Sequence, residues 1–77
     1  MIKELVAYFV KEIVEKPESV LISERKKGDV DVIEITVDQH DRGKVIGREG
    51  QTIKALRMFI GTVLPSEKKL LIDLVQL

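Results

Sequence analysis

The chain of 77 residues has no cysteine, only three aromatic side chains, and a formal net charge of zero. Each absence removes a class of protein. Without thiols there is no disulfide framework and no thiolate metal site. With Tyr8, Phe9 and Phe59 as the only aromatics, all on expected helices and expected in the core, base stacking on aromatic rings is expected to contribute little. A zero balance excludes a globally basic nucleic-acid binder. No apolar run approaches the roughly 18 to 20 residues of a membrane-spanning helix, and Lys3, Glu4, Lys11, Glu12, Glu15 and Lys16 break up the start of the chain where a signal peptide would be apolar. A cytoplasmic protein is expected, and 77 residues suit one small domain, 1–77, because a core this size cannot be divided.

What is present is a set of short periodic segments. Ile2, Leu5, Val6, Phe9, Val10, Ile13 and Val14 recur at helical spacing and predict a helix that ends near Lys16, ahead of Pro17. Ser19 to Arg25 reads as a short strand and Lys26-Lys27-Gly28-Asp29 as a hairpin loop. A second strand is expected from Val30 to Val37. Its Ile33, Ile35 and Val37 alternate with polar residues while Val30 and Val32 are out of phase, so it either bulges near Ile33 or buries both faces at its start.

Asp38 or Asp41 is placed to cap a short helix through Ile46. After a glycine turn, Ile53, Leu56, Phe59, Ile60, Val63 and Leu64 form the face of a longer helix closed by Pro65 and Ser66. The aromatic residues of both helices are expected in the core. Leu70 to Val75 reads as a last strand. The order is α+β, αββααβ, which implies an antiparallel first pair, a parallel third strand reached by a two-helix crossover, and a three-stranded mixed sheet with helices on one face.

Charge is unevenly distributed. Residues 1–41 hold six basic and ten acidic side chains, a balance of −4, whereas 42–57 hold Arg42, Lys44, Arg48, Lys54 and Arg57 against Glu49 alone, a balance of +4. That positive stretch contains Gly47-Arg48-Glu49-Gly50. Glycines reach backbone angles closed to other residues and let another backbone come close, and amides at a helix start present donors to an anion such as a phosphodiester. Ile46 and Ile53 flank the turn as candidate floor residues of a groove for bases. Gly-x-x-Gly alone arises by chance in roughly one chain in three of this length, so the weight lies on its apolar approach and basic surroundings.

With those flanks, Val45-Ile46-Gly47-Arg48-Glu49-Gly50-Gln51-Thr52-Ile53-Lys54-Ala55-Leu56-Arg57 resembles the core motif of the KH RNA-binding domain. The order αββααβ is similar to the type II arrangement of that family, and the whole chain resembles its small bacterial single-KH members of the KhpA type. The resemblance implies an RNA-binding protein that clamps about four nucleotides of single-stranded RNA, acting as an RNA chaperone or post-transcriptional regulator. Carried over by position, Gly47, Arg48, Glu49 and Gly50 are the clamp, Ile46 and Ile53 the groove floor, and Lys44, Lys54 and Arg57 contacts to the RNA backbone. Self-association and a heteromer with a larger KhpB-type RNA-binding protein are also implied. Glu49 departs from the family's usual loop: an acidic residue opposes a nearby phosphate, so weaker, strongly salt-dependent binding is expected.

Other readings are weaker. His40 has no nucleophile or ligand companion, the carboxylates lack metal-ligand spacing, and a dinucleotide site would need a third glycine after a strand; no enzyme, cofactor or metal is expected. Gly61, inside the apolar pattern of the long helix, either lets that helix approach a second protomer to form a homodimer, or reflects local packing or an early helix end. The alternative to RNA binding is a protein-interaction module with the same fold and little RNA affinity.

Overall fold

The computed structural model describes residues 2–64 and 69–75. The first helix, α1, spans Ile2–Ile13 and buries Val6 and Val10. Val14 N still donates to the Val10 carbonyl, but the Glu15 and Lys16 amides turn away to the carboxylate of Asp41. The helix therefore stops earlier than Pro17 alone would require. Pro17–Ser19 then forms a single 3-10 turn, which takes up Ser19, expected to open the first strand.

Strand β1 accordingly runs from Leu21 to Lys27 and β2 from Val30 to Thr36. They pair antiparallel from Lys27↔Val30 through Leu21↔Thr36 with one unbroken register. The connection is two residues, Gly28-Asp29, rather than four, with Gly28 at φ 65° supplying the positive angle such a short loop demands. The constant register excludes the bulge near Ile33. Of the two expected arrangements, the strand buries both faces: Val32, Ile33 and Ile35 are all buried. Val32 lies on the face away from the helices, between Arg25 of β1 and Leu71 of the third strand.

The short helix α2 covers Arg42–Ile46 and α3 covers Gln51–Val63; β3, Leu70–Leu74, pairs parallel with β2. The sheet order is β1-β2-β3, so the central strand carries one antiparallel and one parallel neighbour. Val6 and Val10 of α1, Val45 of α2, and Leu56 and Ile60 of α3 pack with Ile22, Ile33, Ile35, Val37 and Ile72 from one sheet face. Side chains that alternate along a strand put one set on that face, and removing each large aliphatic from water contributes about 1.5 to 3 kcal/mol.

The expected core was too generous at its rim. Tyr8 is 67% exposed and Phe59 48%, and Val63 is also half exposed. The two aromatics instead line a shallow apolar groove between α1 and α3 with Leu5, Phe9 and Ile13. Gly61 is exposed, no atom lies within 4 Å of a Cβ placed on it, and α3 continues past it to Val63. Local packing and an early helix end therefore do not account for this glycine. Pro65 and Ser66, expected to close the helix, lie outside the described residues.

The cap expectations divide cleanly. Asp38 accepts from His40 N at 2.9 Å and caps the 3-10 turn Gln39–Asp41. Asp41 precedes α2 but makes no cap bond to it. Its carboxylate is buried and accepts from Glu15 N and Lys16 N, both at 3.0 Å. The Glu15 amide is the largest influence holding its pKa below the ordinary carboxylate value of 3.8; burial opposes the shift, and the Lys16 amide and Lys44 charge reinforce it. A carboxyl with a depressed folded pKa contributes stability above its unfolded pKa and loses it as pH falls through the folded one. Asp41→Asn, with a donor replacing one acceptor, is expected to lower the urea midpoint at pH 7. The gap from the parent protein should close below the lowered pKa, as measured by circular dichroism across a pH series.

Candidate nucleic-acid interface

The turn between α2 and α3 is built from backbone angles that ordinary residues avoid. Gly47 takes φ 78°, ψ 174°, Glu49 φ 55°, ψ 30°, and Gly50 φ 75°, ψ 14°. The first of these is a region that is essentially glycine-only, and the other two are left-handed. Gly47 is also required by space: a Cβ there would lie 2.2 Å from Thr52 Oγ1 and 2.7 Å from the Thr52 amide nitrogen. A Cβ at Gly50 meets nothing within 4 Å, so only its angle favours glycine.

Within the turn, Gly47 N donates to the Gly43 carbonyl at 2.8 Å, Gly50 N to the Gly47 carbonyl at 3.2 Å, and Gln51 N to the Arg48 carbonyl. These bonds close the turn on itself. Of the amides in this turn at the start of α3, where donors to an anion are expected, those of Gly50 and Gln51 are thus engaged internally. Arg48 and Glu49 project as exposed side chains, as does Lys54 on the first turn of α3. The two carry opposite charge, so the tip of the turn is neutral and the flanks supply the positive potential.

The flanking residues are not equivalent. Ile46 is 38% exposed whereas Ile53 is 8% exposed and packs inward, so Ile46 is the more open of the two apolar neighbours of the turn. Lys44 is paired with Glu15 at 2.6 Å. Arg57 donates through Nε and Nη2 to the Ile72 carbonyl of β3 at 3.2 and 2.8 Å. Arg48 and Lys54 therefore carry the charge that is free to meet a ligand, while Lys44 would have to exchange one partner for another. Among the described residues no group of three His, Cys, Asp or Glu side chains is placed to hold a metal ion.

Three residues outside the expected set position the turn. Thr52 sits under Gly47. Asp41 ties the start of α2 to the segment after α1, and the Arg42 guanidinium ties it to the Val75 carbonyl at the end of β3. With only five residues in α2, these anchors lie roughly 9 Å from the turn, at 1.5 Å per residue. The aspartate before the helix was visible as a candidate cap, but its true partners are 25 and 26 residues away.

An α+β chain in the order αββααβ, with three helices, a mixed three-stranded sheet and a Gly-x-x-Gly turn joining α2 to α3, has the type II KH fold. Residues 3–72 match the family model for the KH domain of KhpA/KhpB, and the chain belongs to that family. It is 46% identical over 61 residues to the RNA-binding protein KhpA of Chlamydia trachomatis, covering 79% of this chain and 78% of that one. It is 35% identical over 74 residues to the RNA-binding protein KhpA of Thermotoga maritima, covering 96% and 99%. Among solved structures, the crystal structure of APE1850 superposes with a TM-score of 0.64 at 23% identity over 90% of this chain, a likeness of fold. This chain spans about half of that one, 47%.

The turn's geometry ranks its two glycines. Gly50→Ala is expected to cost about 1 to 2 kcal/mol, the price of a left-handed alanine. Gly47→Ala adds a backbone collision to a strained angle and should cost clearly more, about 3 kcal/mol or above. Urea unfolding of the two variants checks the order.

Proposed function

We propose that the protein binds short single-stranded RNA segments across the Gly47–Gly50 turn and acts in the cytoplasm as an RNA chaperone or post-transcriptional regulator. The observation that carries this reading is the turn itself: three of its four residues hold positive φ, and it presents Arg48 at an exposed tip beside the half-exposed Ile46. The relatives from Chlamydia trachomatis and Thermotoga maritima, both RNA-binding proteins by name, support it. Phosphate is held by the turn and the basic side chains Arg48, Lys54 and Lys44; bases lie against Ile46, whose apolar surface tolerates any base face, with Ile53 packed beneath and adding only its small exposed edge. No catalytic step and no cofactor enter this function.

A weak clamp gains from being doubled, because two linked sites raise effective concentration without new contacts. The proposal therefore includes a homodimer through the Gly61 face of α3, where Met58, Phe59 and Val63 are exposed, and a heteromer with a KhpB-type partner. The second reading, a protein-interaction module with little RNA affinity, is favoured by the same exposed face and by Glu49 in the loop.

Anisotropy of a labelled single-stranded RNA separates the two. Arg48→Asp is expected to weaken binding by about tenfold, or 1.4 kcal/mol, and to flatten the dependence of log K on log salt by about 0.7 per lost phosphate contact. Equal binding by both proteins excludes the turn as the site. For assembly, Gly61→Leu is expected to lower the mass measured by light scattering at matched concentration, and an unchanged mass removes the Gly61 interface.

A further inference from the structure

Arg57 is engaged differently from the other basic residues of its segment. Asp31 N donates to the Lys69 carbonyl and Val75 N donates to the Ile35 carbonyl. Main-chain groups of alternate residues along a strand point the same way, so residues 69, 71, 73 and 75 face β2 and the Ile72 carbonyl faces the free edge of β3. It is this edge acceptor that Arg57 takes, through Nε at 3.2 Å and Nη2 at 2.8 Å.

Two consequences follow from which donors are used. The Ile72 carbonyl is occupied, so the exocyclic amine of an adenine or cytosine finds no acceptor there. The guanidinium is held by its Nε side, and its Nη1–Nη2 end keeps a pair of parallel N–H bonds directed away from the strand, in an orientation fixed before any ligand arrives. Ile53 lies four residues before Arg57 and so on the same face of α3, one turn nearer the glycine loop. Arg57 itself is seven residues beyond Gly50, about 10 Å along the helix. The path from the loop past the buried Ile53 thus ends at a fixed donor fork.

Two parallel donors match a base edge with two adjacent acceptors; in a single strand, whose Watson–Crick edges are open, guanine offers that pair in O6 and N7 and cytosine in O2 and N3, whereas adenine offers none. Uracil offers a single carbonyl in the corresponding place. We infer that Arg57 is a specificity-determining residue that selects guanine or cytosine over adenine and uracil at the position beside β3, instead of gripping the RNA backbone. This role, which rests on the RNA-binding reading above, gives a neutral-tipped clamp a base preference that stacking aromatics do not supply.

The test uses the full chain and labelled adenine hexamers carrying one guanine, uracil or cytosine, read by anisotropy against all-adenine. The parent protein is expected to favour the guanine and cytosine hexamers over the uracil and all-adenine ones by about five- to 150-fold, the range of a good bidentate base contact. Arg57→Ala and Arg57→Lys should both bring those two hexamers down to the all-adenine level, with Arg57→Lys keeping most of the all-adenine affinity. Because Arg57→Ala also frees a strand edge, thermal unfolding by circular dichroism accompanies it, and Arg57→Lys carries the test if the alanine variant does not fold. A uniform loss for all four hexamers with the preference intact, or no preference in the parent protein, overturns the inference. A parent protein that binds none of the hexamers removes the RNA reading itself, whereas an Arg48→Asp variant that binds normally with an Arg57-dependent preference removes only the loop.

Discussion

The buried carboxylate of Asp41 is the interaction on which the arrangement of this small fold depends. By taking the amides of Glu15 and Lys16 it ends α1, and by sitting at the last residue before α2 it starts the next helix at a fixed place against the first. The groups it satisfies are backbone donors beyond the last turn of a helix, which would otherwise need water or another acceptor. A buried carboxylate is tolerable there because both oxygens are hydrogen-bonded. Ion pairs from Lys16 to Asp38 and from Lys44 to Glu15 repeat the connection at the surface, where each is screened and contributes little.

From that anchor the geometry of the glycine turn follows over a short lever. Five residues of α2 separate Asp41 from Gly47, and Arg42 fixes the same end of the helix to β3. The turn then closes on itself, with Thr52 filling the space where a Gly47 side chain would stand. Strain is confined to three of the four turn positions, Gly47, Glu49 and Gly50, which hold positive φ, one of them a non-glycine. A turn over-determined in this way keeps its shape without a ligand, so that little ordering remains to be done on binding.

The distribution of free and engaged charge refines what a linear count suggests. The stretch 42–57 carries +4, but Arg42 and Arg57 are bonded to main-chain carbonyls and Lys44 to a carboxylate. Arg57 covers the Ile72 carbonyl on the free edge of β3, where another strand would otherwise pair, and Arg42 holds the Val75 carbonyl beyond the end of the same strand. What remains mobile is Arg48 at the tip and Lys54 one turn into α3. Net charge of a segment is therefore an upper limit on what it offers a ligand.

Helix α1, the hairpin, the crossover order and the glycine turn were legible in the sequence, because each rests on local periodicity or on residues with restricted backbone choices: Val6 and Val10 at helical spacing, Ile33 and Ile35 at strand spacing, Gly47 where no side chain fits. Details that depend on neighbours distant in the chain were not. The early end of α1 needed Asp41, 25 residues on; burial of Val32 needed Arg25 and Leu71 on either side; and Tyr8 and Phe59 are exposed along a groove that α1 and α3 line together. Periodicity records which face an apolar side chain shares, so the sequence by itself determined the family, the element order and the candidate loop. Only the tertiary structure decided which polar groups are satisfied internally and which are left for a ligand, since a hydrogen bond is settled by distance in space and not by spacing in the chain.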